Sequence, residues 1–198
     1  MKSLTQPSRL AAAACAALVL AACGGGNDGD LFLAGEIRGL TKSGLVLENR
    51  ANGDTLPILA GAAAFAFTKR LSNDEAFDVQ VKTQPTGAVC TPSQNKGRTG
   101  AYSINTILIE CVTNAYQLGG KITGLTGSGL ELINGNDKLV VAAGAASFVM
   151  PAKVPDGSPY GIVIFKQPAN QNCTVTGGTP TGLMGSADQL NAVQITCN

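Results

Sequence analysis

From residue 31 onward the chain alternates. Phe77, Val79 and Val81 are separated by Asp78, Gln80 and Lys82, the period of a strand with one face buried and one in water. Phe65 and Phe67 flank Ala66, and Leu45 and Leu47 flank Val46. Ile107, Ile109 and Cys111 share one face of a further strand, as do Cys173 and Val175. Asn52-Gly53-Asp54 and Asn134-Gly135-Asn136-Asp137 read as hairpin turns, and Pro57 inside a strand-like run marks an edge strand. In the first half the pattern predicts strands over residues 31–40, 44–49, 54–60, 63–71, 76–84, 87–93 and 104–112. No segment after the first 30 residues has a helical period. Short strands separated by turn signals argue for a β-sandwich.

The pattern occurs twice. GLTKSGLVL at residues 39–47 returns as GLTGSGLEL at residues 124–132, an offset of 85. Gly35-Glu36-Ile37-Arg38-Gly39 matches Gly120-Lys121-Ile122-Thr123-Gly124 at that offset. Gly61 to Phe65, Gln84-Pro85 and Cys90 match Gly144 to Phe148, Gln167-Pro168 and Cys173 at an offset of 83. Ile107, Ile109 and Cys111 fall on Val193, Ile195 and Cys197 at 86. The offset changes only in turn-rich stretches, Asn49 to Asp54 and Thr91–Ser103 against Thr174–Asp188, as expected for two copies of one small fold. The units predicted are residues 31–113 and 117–198. Gly39 and Gly44, with Gly124 and Gly129, bracket a tight turn between strands. Leu40, Leu45 and Leu47 supply core on either side of it.

The first 22 residues belong to neither copy. Lys2 and Arg9 precede an apolar run from Leu10 to Leu20, too short to span a bilayer but the length of a secretory leader's core. Leu20-Ala21-Ala22-Cys23 resembles the lipobox of bacterial lipoproteins, which implies cleavage before Cys23 and acylation of its thiol, palmitate included. An ordinary leader cut at a small-residue site, with Cys23 a bystander, is the competing reading. Residues 23–30, Cys-Gly-Gly-Gly-Asn-Asp-Gly-Asp, then form a flexible tether. Stable anchoring needs at least two acyl chains, which a triacylated N-terminal cysteine has. Gly24 rather than Asp after the cysteine, by resemblance to enterobacterial sorting, implies the outer membrane.

Charge and cysteines narrow the picture further. Without Lys2 and Arg9, 12 basic side chains face 13 acidic ones, which offers no electrostatic footprint for nucleic acid. Of six cysteines, Cys15 lies in the leader and Cys23 is the lipidation site. Four remain, and the duplication selects Cys90 with Cys111 and Cys173 with Cys197 among three connectivities. Free buried thiols or a four-thiolate zinc site compete with this pairing. The close C-x₂₋₄-C pairs of zinc sites are absent, and an exported compartment is oxidising.

Each unit resembles the Gly-x-Ile-x-Gly-Leu-Thr-x-Ser-Gly-Leu-x-Leu, Phe-x-Phe, Gln-Pro, Cys, Cys repeat of proteobacterial surface lipoproteins. The Phe-x-Phe followed by an aromatic-x-Val/Ile-x-Val/Ile strand is similar to prealbumin-like (carboxypeptidase regulatory-like) sandwiches. The expected fold is therefore all-β, with two tandem Ig-like or prealbumin-like sandwiches of about seven strands each after the leader. The resemblance implies spacer, display or binding modules and no catalytic residue. Where the copies differ, Phe67 becomes Met150 and Phe77 becomes Tyr160, changes that keep core volume.

Catalysis finds little to work with. The sequence has no His, and with the cysteines paired it offers no nucleophile–base couple. Its 13 acidic residues are scattered, against the paired carboxylates of glycoside hydrolysis. Calcium at Asn134 to Asp137 is conceivable from oxygen ligands, but a hairpin explains the same residues; no cofactor is expected. One strand stands out. The outward Asp78, Gln80 and Lys82 of the first copy correspond to Gly161, Val163 and Phe165 in the second. Two readings compete for Val163 and Phe165: packing against the first unit or the linker near Tyr116, or an interaction patch for a partner. The expected function is a non-enzymatic, lipid-anchored structural or protein-interaction module of the bacterial envelope or cell surface. Its partners are the membrane and an envelope or surface protein. The alternative is a small-molecule or glycan-binding lipoprotein, disfavoured by the absence of Trp.

Overall fold

The computed structural model describes residues 29–198; the expected leader of residues 1–22, Cys23 and most of the expected tether lie outside the described residues. The first half folds into β1 (Leu33–Arg38), β2 (Leu45–Asn49), β3 (Asp54–Ile58), β4 (Ala64–Ala66), β5 (Ala76–Thr83), β6 (Ala88–Ser93), β7 (Lys96–Arg98) and β8 (Ile104–Thr113). These make two four-stranded sheets, ordered β4-β1-β8-β6 and β3-β2-β5-β7. The sheets enclose one core that takes Leu33 and Ile37 from β1, Leu45 and Leu47 from β2, Phe77 and Val79 from β5, and Ile107 and Ile109 from β8. Alternation is thus converted into a sandwich: every second residue fills the space between sheets.

The second half repeats the plan. After β9 (Ala115–Tyr116) come β10 (Leu118–Thr123), β11 (Leu130–Asn134), β12 (Asp137–Val141), β13 (Ser147–Val149), β14 (Val154–Pro155), β15 (Pro159–Lys166), β16 (Cys173–Gly178), β17 (Thr181–Leu183) and β18 (Gln189–Cys197). The sheets are β13-β10-β18-β16 and β12-β11-β15-β17, around a second, separate core. Met150 and Tyr160 are buried where the first unit buries Phe67 and Phe77. β9 and β14 form a two-stranded ribbon in which Tyr116 faces Val154; the first unit has a single bridge at that place, Leu31 with Leu71. The fold is all-β, two sandwiches in tandem.

Each sandwich has eight strands rather than the expected seven. The additional ones, β7 and β17, lie inside the stretches read as turns. Three residues are too few to display an alternation, and both strands are fixed by pairing with the start of β5 or β15. The strand expected over 63–71 is also short. Phe67 N still donates to Leu33 O, but the chain then turns away, with Lys69 N donating to the buried Asp54 carboxylate. Val175 shares the side of Cys173 but is partly exposed, because β16 is a sheet edge and a register irregularity follows Val175.

In both units the first and last long strands are parallel neighbours: β1 with β8 and β10 with β18. Chain entry and exit therefore fall at opposite ends of each sandwich, so tandem copies meet end to end. The ten residues of β8 put roughly 30 Å between the two ends of the first unit at a strand's rise per residue.

The repeated motif can now be read physically. Gly35 and Gly120 lie directly under the rings of Phe65 and Phe148. A Cβ at either would intrude into that ring and into the carbonyl of Ile107 or Val193. Gly39 and Gly124 close β1 and β10 with φ of 71° and 80°, tight against the carbonyl oxygens of Cys111 and Cys197. Only glycine meets both demands there.

Candidate functional site

Cys90 faces Cys111 across β6 and β8, and Cys173 faces Cys197 across β16 and β18. Both pairs are disulfides, at sequence separations of 21 and 24, and all four cysteines are buried. In the chain-entropy model, closing such a loop contributes about 3 kcal/mol, a useful amount for a core of this size. Both disulfides tie an edge strand to its neighbour.

The edges hold a feature that sequence reasoning missed. The Gln84 side-chain amide accepts from Cys90 N (2.8 Å) and donates to Cys90 O (3.0 Å). Gln167 does the same for Cys173, at 2.7 and 2.9 Å. β6 and β16 are edge strands, whose outward N–H and C=O groups have no strand to pair with. One amide side chain stands in for the missing neighbour, so the repeated Gln-Pro is an edge cap. Its recurrence before each cysteine was the only signal.

The residues considered for calcium have structural work. Asn134 Oδ1 accepts from Gly161 N (2.8 Å) and Asp137 Oδ2 from Ala152 N (2.9 Å), around the two-residue hairpin turn Gly135-Asn136. Among the described residues no group of three metal-binding side chains and no cavity is found.

Val163 and Phe165 lie on the outer face of the sheet β12-β11-β15-β17, 49% and 62% exposed. Of the two readings, packing against the first unit or the linker is not seen among the described residues: Tyr116 pairs with Val154, and the face is exposed. Ile133 on β11, paired with Val163, and the exposed Val140 on β12 continue the apolar surface. Charges hem it in. Lys138 Nζ is 5.7 Å from the centre of the Phe165 ring and 2.9 Å from Glu131 Oε2. That bond to Lys138 holds the Glu131 carboxyl below its ordinary pKa.

The two sandwiches are joined by more than the chain. Lys42, in the turn after β1, donates to Asp156 Oδ1 (2.6 Å) and to Asp156 O (2.7 Å). Asp156 N donates to Asn114 O, and Asn114 N to Gly87 O. Gly87, with φ of 75°, lies so close to the Asp156 carboxylate that a Cβ would collide with it. The Lys42 and Asp156 side chains keep only 22% and 12% of their exposure. The hydrogen bond from Lys42 is the main cause lowering the Asp156 pKa. Asp156 Oδ2 is buried there without a hydrogen-bond partner among the described residues.

No protein-family model matches the chain, and no curated protein does. Solved structures that it resembles include the major pilin protein T-13 from Streptococcus pyogenes, at 12% identity and a TM-score of 0.30, over 87% of this chain and 96% of that one. Another is the major pilin protein T3.2 of the same organism, at 10% identity and a TM-score of 0.29, over 84% and 95%. Overlaps of that size carry no argument about function.

Proposed function

We propose that the protein is a non-enzymatic structural module of the bacterial envelope, a lipid-anchored rod of two sandwiches that holds an interaction face away from the bilayer. The observation that carries the reading is the end-to-end junction. Parallel first and last strands place entry and exit at opposite ends of each unit, and the Lys42–Asp156 contact then ties one unit to the next. The lipobox-like Leu20 to Cys23 supplies the anchor at one end, and the Val163–Phe165 face offers a partner surface on the far unit. Two disulfides with capped edge strands suit an oxidising, exposed compartment.

Membrane fractionation with mass analysis of the N-terminal peptide tests the anchor. The wild type fractionates with the envelope and carries acyl chains on Cys23, and Cys23→Ser releases it. An unmodified peptide with unchanged fractionation overturns the reading.

A further inference from the structure

The entry end of the first unit differs from the matching end of the second. Phe32 N is bonded to Ser103 Oγ, and Gln117 N to Asp188 Oδ1, which sets the two ends in register: Phe32 corresponds to Gln117 and Tyr102 to Ala187. The second unit's entry end, with Gln and Ala, adjoins the first unit through Asn114 and Asp156. Among the described residues nothing adjoins the first unit's entry end, which carries two aromatics. Phe32 is 47% exposed and Tyr102 is 81% exposed. The Arg70 guanidinium sits 3.1 Å from the centre of the Phe32 ring, and Lys69 beside it is exposed.

We infer that this end is a bilayer-docking surface, with Phe32 and Tyr102 seated at the headgroup level and Arg70 and Lys69 on lipid phosphates. The inference rests on the anchored reading of Cys23. Only seven residues, eight peptide links, lie between Cys23 and Leu31, a reach of at most about 28 Å, so an acylated cysteine holds this end nearer the membrane than the opposite end of the molecule. Aromatic rings with a polar partner favour the bilayer interface. Insertion that is weak alone suffices when a short tether makes it intramolecular. Asp30, Asp54, Asp74 and Glu75 share the end with Arg50, Lys69, Arg70 and Arg98, so apolar insertion rather than bulk charge drives the contact. A second copy of the chain does not fit in its place. The positions matching Lys42, Gly87 and Asp156 are Gly127, Asn170 and Asn73, so the junction between units cannot be repeated between molecules.

The chain has no Trp, so a single introduced indole reports one position. The test uses the full acylated protein in phosphatidylethanolamine–phosphatidylglycerol vesicles containing headgroup-proximal spin-labelled lipid. Tyr102→Trp is compared with Leu183→Trp on the second unit's outer sheet. The expected result is quenching severalfold stronger at position 102, little changed by salt or phosphatidylglycerol content and lost in Phe32→Ser, whose melting temperature stays that of the parent. Equal quenching at the two positions, or stronger quenching at 183, overturns the docking assignment while an acylated Cys23 leaves the anchor standing. A protein without acyl chains at Cys23 overturns both. Concentration-dependent self-association lost in Phe32→Ser would assign the end to a second copy and likewise overturn the inference.

Discussion

The outer sheet faces of the two units show what duplication kept and what it released. In the first unit β5 presents Asp78, Gln80 and Lys82, and Lys82 Nζ lies 2.9 Å from Glu48 Oε1. In the second, Phe165 takes the place of Lys82. Ile133 takes the place of Glu48, and Glu131, at the position of Val46, is paired with Lys138 of β12 and lies 3.9 Å from Lys166 of β15. The edge changed as well: Pro57 on β3, which has no N–H to offer a passing strand, is Val140 on β12. Meanwhile the inward residues of both units stay apolar and buried. Core packing restricts the inward positions tightly, whereas outward positions answer only to solvent and partners. The second unit has used that freedom to gather an apolar surface beside an unblocked edge.

The comparison breaks hardest at the disulfides. Replacing Cys173 and Cys197 together by Ala should cost about 2–5 kcal/mol in the second unit, and the Cys90, Cys111 pair the same in the first. Denaturant melts that separate the two transitions check this; equal loss in both units from one replacement would mean they fold as a single cooperative body. Next come the closing glycines. Gly39→Ala and Gly124→Ala should each cost about 1–3 kcal/mol from the left-handed backbone, with added cost from the crowded carbonyl, and the two effects should be alike. Unequal effects would show that the repeats no longer share this constraint.

The junction should answer to acid. Lys42 holds the folded-state Asp156 carboxyl below its unfolded value. The stabilisation is therefore complete above the ordinary carboxylate range, about pH 4, and is lost as pH falls through the lower folded value. Small-angle scattering should show a fixed inter-unit geometry at neutral pH that loosens only in strong acid, and Asp156→Asn should loosen it at every pH. The smallest effect is expected at the face. Phe165→Lys, which restores the first unit's residue type, should change stability by less than about 0.5 kcal/mol while abolishing capture of an envelope partner. A large loss of stability would mean that the face is covered in the protein.

Much of this architecture was legible in the sequence, for a physical reason: the signals were periodic and stated twice. Alternation at Phe77 to Lys82 placed β5, and the matched cysteines gave the pairing that the register of β6 and β8 displays. β7 and β17 escaped because three residues carry no period. Gln84 and Gln167 escaped because their role depends on which strand is an edge, and strand order is not written locally. The fate of Val163 and Phe165 was illegible for a similar reason. Whether an apolar face is covered depends on where the other unit sits, and that is set by Lys42, Gly87 and Asp156, three residues far apart in the chain.

The parallel pairing of β1 with β8 also decides how the molecule bears load. When the first unit is pulled from its two ends, tension runs along the strands from Leu33 to Thr113. The β1–β8 hydrogen bonds, spanning Leu33 to Arg38, are then sheared together instead of being peeled one at a time, and the disulfide clamps β8 to β6 behind them. Each sandwich is arranged to resist being drawn out along its strands.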